Sequence, residues 1–119
     1  MPTMKPARWE GTSKKALRAF PDDARARSGY EVYRVQLGLD PTDWKPMISA
    51  GEGVREIRVR TGREHRLLYV ARFAEAVYVL HVFEKKTRKT SRADIEIGKT
   101  RYRELVARRS LEAEKSRRK

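Results

Sequence analysis

The sequence predicts an α+β domain in which two N-terminal helices pack on a small antiparallel β-sheet and a C-terminal helix follows. Three observations carry this. Apolar residues recur at helical spacing before Gly38 and again after Ser91. Between Val54 and Phe83 the pattern changes to strand-like alternation and short apolar runs. With 119 residues, 39% of them apolar, one domain with one modest core is the natural count.

Residues 1–11, with Pro2, Pro6 and Gly11, read as a flexible arm. Thr12 or Ser13 caps a short helix in which Leu17 and Phe20 share a face. Pro21 ends it, because the residue before a proline is pushed out of the helical region. A second helix starts there, with Pro21 at its first position and Asp22 and Asp23 complementing its dipole. Ala26, Tyr30, Tyr33 and Leu37 share a face of this helix, which ends near Gly38. Asp40 to Gly53 is a turn-rich link. In Val54–Arg60, Ile57 and Val59 point one way and Glu56, Arg58 and Arg60 the other. Thr61-Gly62-Arg63 is a short hairpin connection, and His65–Ala71 is the second strand. Ala76–Phe83 is the third, apolar on both faces and therefore central. Glu84–Thr90 is a basic loop. Ser91 caps a helix running to about Arg109, with Ala93, Ile97, Tyr102 and Leu105 as its contacts. Residues 110–119 form a basic tail. The two N-terminal helices cover one face of the sheet and leave the other partly open.

Lys and Arg number 29 against 16 Asp and Glu, a net charge of +13. Such an excess calls for a polyanionic partner, most often a phosphate backbone. The positive charge is clustered: Arg55 to Arg72 holds six Arg and two Glu, and Glu84 to Lys119 holds fourteen Lys or Arg and six Asp or Glu. No apolar run approaches the about 20 residues of a membrane span. The start of the chain lacks the apolar region of a secretory signal. The absence of cysteine removes disulfides, thiol catalysis and Cys-ligated metals. With only His65 and His81, a His-rich metal site is not expected either. The composition points to the cytoplasm and to no cofactor.

Three groups of residues stand out. Glu56, Arg58 and Arg60 form a charged row on one side of a strand. Arg66 shares a side with Leu68 and Val70, so it needs either an anionic ligand or a partner such as Glu56 or Glu64 across the hairpin. His65, Leu67 and Tyr69 take the other side. The loop Phe83-Glu84-Lys85-Lys86-Thr87-Arg88-Lys89-Thr90 suits phosphate contacts. His81 points into the sheet and is the nearest group to that loop with a near-neutral pKa. There is no hydrolase triad, P-loop or carboxylate cluster for a two-metal nuclease. Phosphodiester chemistry would then rest on Arg, Lys, Tyr or His. RNA permits it, because the ribose 2′-hydroxyl is an internal nucleophile.

Four stretches, in this order and spacing, resemble the RelE/HigB-like toxins of type II toxin–antitoxin modules, and among them the phage-derived HigB-type branch. They are Trp44-Lys45-Pro46-Met47, Glu56-Ile57-Arg58, Arg66 to Tyr69, and His81-Val82-Phe83-Glu84-Lys85-Lys86-Thr87. The resemblance runs from about Lys14 to Leu105. It implies a RelE/ParE-like fold and a metal-independent endoribonuclease, an mRNA interferase that cleaves mRNA in the ribosomal A site and inhibits translation. It implies a helix-turn-helix antitoxin as partner. By the same resemblance Arg58 and Arg66 hold the scissile phosphate, and Lys85 and Lys86 bind RNA, one of them serving as base or electrostatic stabiliser. Tyr69 and His81 are candidates for proton transfer. Arg55, Arg60, Arg88 and Lys89 extend the RNA-binding surface. Two departures matter. Lys89-Thr90-Ser91 stands where many relatives have a proline after the threonine, and the late Tyr102 lies in a helix rather than at a site for a general acid. Two other readings stay open: a non-catalytic ParE-like toxin acting on a protein, and a basic nucleic-acid-binding prophage protein.

Overall fold

Alternation places the centre of the fold where the sequence has it. In the computed structural model, which describes residues 3–118, Val54–Arg60 (β3), Glu64–Val70 (β4) and Val77–Glu84 (β5) form an antiparallel meander. Every residue of β5 except Glu84 is buried, as a strand covered on both faces requires.

Two further strands extend this meander into a mixed five-stranded sheet, in the order β1-β5-β4-β3-β2. Ala7–Trp9 (β1) lies in the stretch expected to be a flexible arm and pairs in parallel with β5. Lys5 fixes its approach, its Nζ donating 2.8 Å bonds to the carbonyls of Ala71 and Phe73. Trp44–Pro46 (β2) lies in the expected link and pairs antiparallel with β3. Each has three residues, too few for alternation to register, and Pro46 lies at the outer edge where no ladder donor is needed. The sheet is therefore mixed rather than purely antiparallel.

Ser13–Arg18 (α1) and Asp22–Gln36 (α2) cover one face. Leu17, Val32 and Val35 pack there on Ile57, Val59, Leu67, Tyr69, Val77, Val79 and Val82. The buried side of α2 is Ala24, Ser28, Glu31, Val32 and Val35, not the stripe of Ala26, Tyr30, Tyr33 and Leu37. Glu31 tolerates burial because its carboxylate accepts from the Thr42 N–H at 2.6 Å and the Thr42 hydroxyl at 2.8 Å.

Arg92–Arg117 (α3) covers the other face, which is closed over its lower half rather than open. Leu105, Tyr102, Ile95 and Val106 of α3 pack on Val54, Leu68, Val70, Tyr78, Leu80 and Phe83, whereas Ala93 and Ile97 are exposed. The helix runs through most of the expected tail, and Lys119 lies outside the described residues. Gly98 lets α3 cross the sheet closely. A Cβ there would sit 2.7 Å from Cδ1 of the fully buried Leu68. Gly98→Ala is expected to lower stability by about 1–3 kcal/mol through overpacking, outweighing a propensity gain of about 1 kcal/mol, as read by urea melts.

Glu75, in the β4–β5 turn, ties the same helix down through Arg109 at 2.6 Å. That bond, with one from the Tyr78 hydroxyl, lowers its carboxyl from 4.5 to about 2. Folding thus favours the ionised form. The stabilisation is complete above about pH 4.5 and is lost as pH falls through about 2. Glu75→Gln is expected to flatten the fall of the thermal midpoint across that window, and to leave the stability at pH 7 lower than wild type.

Candidate active site

The upper half of the α3 face, beyond the first turn of that helix, is a floor of charged side chains. Strand register arranges it in three rows. Lys45, Glu56, Leu68 and His81 face one another across β2, β3, β4 and β5. Arg58, Arg66 and Phe83 form the next row, and Arg60 and Glu64 the third, with the Lys85 N–H bonded to the Glu64 carbonyl at 2.7 Å. Arg58 and Arg66 are directly opposed, which like charges resist unless an anion lies between them.

Glu56 is that anion. It is 1% exposed, and its Oε1 stands 3.6 Å from Arg66 Nε, 3.8 Å from Lys45 Nζ and 4.0 Å from Arg58 Nε. Its Oε2 accepts a short hydrogen bond from the Thr90 hydroxyl, which pins the basic loop over the floor. Arg66 bonds Glu64 at 3.2 Å and the His65 carbonyl at 3.1 Å, and Arg58 lies 4.0 Å from Asp43. Five cations (Lys45, Arg58, Arg60, Arg66, Lys85) thus share three carboxylates (Asp43, Glu56, Glu64), a net excess of two. Arg66, then Lys85 and Arg60, hold the Glu64 carboxyl below its ordinary value. The Nε–H groups of Arg58 and Arg66 are buried and make no hydrogen bond. The floor therefore keeps a net positive charge for an anion, reached through the partly exposed Arg58 and Lys45.

Access separates the cations. Arg66 is 2% exposed and the Arg58 side chain 28%. Lys45 is partly open, Lys85 mostly covered, and Lys86, Arg88 and Lys89 are exposed on the loop. The Thr87 hydroxyl closes that loop by donating to the Lys89 carbonyl at 2.5 Å. Beside it an open cleft of about 560 Å³ is lined by Gly62, Arg63, Glu64, Glu84, Lys85 and Lys86. Arg60 is exposed at the same end.

His81 reaches this face because of a bulge. Leu68 pairs with His81 and Tyr69 with Val79, so Leu80 is an extra residue and both Leu80 and His81 turn toward α3. His81 Nε2 lies 2.8 Å from Asp94 Oδ1, and its ring stacks on Phe83 at 4.7 Å. Burial lowers its pKa against the opposing pull of Asp94. Asp94 itself is held by the Ser91 cap.

Tyr69 and Arg55 are not brought to this floor. They pair with each other on the opposite face, as alternation requires. The Tyr69 phenol is pushed above its ordinary pKa by burial, with Arg55 opposing. It lines a separate cavity of about 410 Å³ with Arg55, Asp40, Val35 and Lys5. Arg55 instead pairs with Asp40 at 3.0 Å and stacks on Trp44. Neither side chain reaches the floor. The pairing of Arg66 with Glu56 across the hairpin, and with Glu64, is as expected, whereas the contacts of Lys45 and Thr90 with Glu56, and of Asp94 with His81, were missed. They arise from cross-strand register and from contacts between distant segments, for which no local pattern exists.

Among the described residues no group of three or more His, Cys, Asp or Glu is placed to hold a metal ion, and no helix is long and apolar enough to cross a membrane. A family model described as phage derived protein Gp49-like (DUF891) matches residues 15–103. None of the curated proteins matches the chain.

Proposed function

We propose that this chain, which belongs to the family of phage-derived Gp49-like proteins, is the toxin of a type II toxin–antitoxin module and acts as an endoribonuclease. The family is one of RelE/HigB-type toxins. The observation that carries the activity is the pair of opposed arginines, Arg58 and Arg66, held by one buried carboxylate with a net excess of positive charge around them.

On this reading a phosphate of single-stranded RNA settles over Arg58 and Lys45 and takes up part of the charge that Glu56 and Asp43 now balance. Lys86, Arg88 and Lys89 hold the flanking backbone. Arg66, from below, stabilises the charge that grows on the phosphorus oxygens as the 2′-hydroxyl attacks. The new bond is 2′-O to phosphorus and the bond broken is phosphorus to 5′-O. The 2′ proton passes to a base and the leaving oxygen takes one from an acid. Glu56, buried within the cation cluster, serves as the group that positions Arg58 and Arg66. Lys85 and Lys86 are the cations on the loop available to the leaving oxygen, whereas His81 lies two rows away on Asp94 and Phe83. No step calls on a metal. The proposed substrate is mRNA in the ribosomal A site, where a charge of +13 suits the surrounding ribosomal RNA. The proposed partner that silences it is a helix-turn-helix antitoxin.

The test is inducible expression in bacteria, with primer extension on abundant mRNAs. Growth arrest with new codon-phased 5′ ends is expected. Arrest without cleavage would move the reading to a ParE-like toxin acting on a protein, and neither effect would leave a nucleic-acid-binding protein.

A further inference from the structure

The side of α2 that faces away from the sheet carries a second apolar stripe. Ala26, Tyr30, Tyr33 and Leu37 are spaced four, three and four residues apart, the alternation of a heptad seam. Tyr30 is 54% and Tyr33 48% exposed, and Leu39 continues the patch at 49%. Ser28, Glu31, Val32 and Val35, on the opposite side of the helix, already fill the contact with the sheet. A helix apolar on two sides is one that buries both.

The charges beside the seam say what covers it. In heptad terms Tyr30 and Leu37 stand at a, Ala26 and Tyr33 at d, and Arg27 and Arg34 at the two flanking e positions. Neither arginine has a carboxylate partner among the described residues. Each donates only to a backbone carbonyl, Arg27 to Arg60 at 3.4 Å and Arg34 to Asp40 at 3.0 Å. The g positions are Gly29 and Gln36, which are neutral. Two copies of this helix would set arginine against arginine when antiparallel, and against neutral residues when parallel, on chains that each carry +13. A second copy is therefore a poor occupant. RNA fits less well, since bases find only Tyr30 and Tyr33 to stack on while the rest of the patch, Ala26, Leu37 and Leu39, is aliphatic.

We infer that the outer face of α2 is the docking surface for an amphipathic helix of a partner protein, with apolar residues along its seam and Asp or Glu opposite Arg27 and Arg34. It lies on the side of the sheet away from the charged floor. On the toxin reading above, and resting on it, the antitoxin is the protein that carries this helix.

The interface can be tested without toxicity or cleavage. The probe is a synthetic peptide of about three heptads with Leu at a and d and Glu at e and g, beside a twin with Lys in place of Glu. Affinity for the full chain is read by fluorescence anisotropy at ~150 mM salt, where charge attraction alone is screened beyond about 8 Å. The Glu peptide is expected to bind and the Lys peptide not. Tyr30→Ser with Tyr33→Ser is expected to weaken binding at least ~10-fold without changing the thermal melt, since both rings are exposed. Arg27→Glu with Arg34→Glu is expected to reverse the preference in favour of the Lys peptide. Glu-peptide binding that survives the tyrosine changes would overturn the proposal. So would a dimer in sedimentation that those changes abolish, or a loss of oligoribonucleotide binding in their place. Any of these would leave the nuclease reading untouched, because the growth and primer-extension experiment decides that separately.

Discussion

Arg58→Ala is expected to lower RNA cleavage by ~10²–10³-fold, the typical effect of removing one preorganised donor from a developing charge. Arg58 is the better probe than Arg66 for a structural reason. Its side chain is 28% exposed and reaches its carboxylates only at 4.0 Å, so its removal leaves the packing intact. Arg66 is buried against Glu56 and Glu64, and its truncation would confuse lost chemistry with lost fold. The readout is the rate of product formation on ribosomes carrying a defined mRNA, beside a urea melt. A stability change within about 1 kcal/mol is expected, as for a weak partly exposed ion pair. Cleavage within threefold of wild type would remove Arg58 from the phosphate site. Growth arrest that persisted in the variant would speak for a protein target.

Glu56→Gln carries the largest expected cost in stability, about 3 kcal/mol, because it leaves buried Arg66 without its central counter-charge. For a chain of 119 residues that corresponds to a fall of roughly 10 °C in Tm. The shape of the side chain and an oxygen for the Thr90 hydroxyl remain, so the loss reports the charge. Adding Arg66→Met to Glu56→Gln is expected to recover much of it, since it removes the buried charge that the single variant leaves uncompensated. A loss below about 1 kcal/mol for the single variant would mean that the opposed arginines tolerate each other without Glu56.

What the sequence made legible follows from where the information is stored. Alternation in Val54–Arg60 and the apolar run of β5 are local, and both strands lie where they were expected. Period-two spacing likewise put Arg58 with Glu56, and separated Tyr69 from Arg66. The two edge strands left no trace because three residues carry no period. On α2 the more apolar stripe proved to be the outer one. The inner side holds Ser28 and Glu31, and the burial of Glu31 depends on two bonds from Thr42 that spacing cannot reveal. The site was half legible for the same reason. Its arginines stand out singly, whereas Glu56 gains its role from Lys45 on an edge strand and from Thr90, 34 residues away.

The parallel pairing of β1 has a consequence for how the protein comes into being. Ala7 lies beside Val77, so a strand made first waits for a partner made 77 − 7 = 70 residues later. Translation at about 5–20 residues per second makes that wait roughly 4–14 seconds. The charged floor is completed later still, by Thr90 on Glu56 and Asp94 on His81. A nascent chain that stalls before Thr90 thus lacks both the latch and the support of its own site. Only synthesis past Asp94 assembles the charged floor in full.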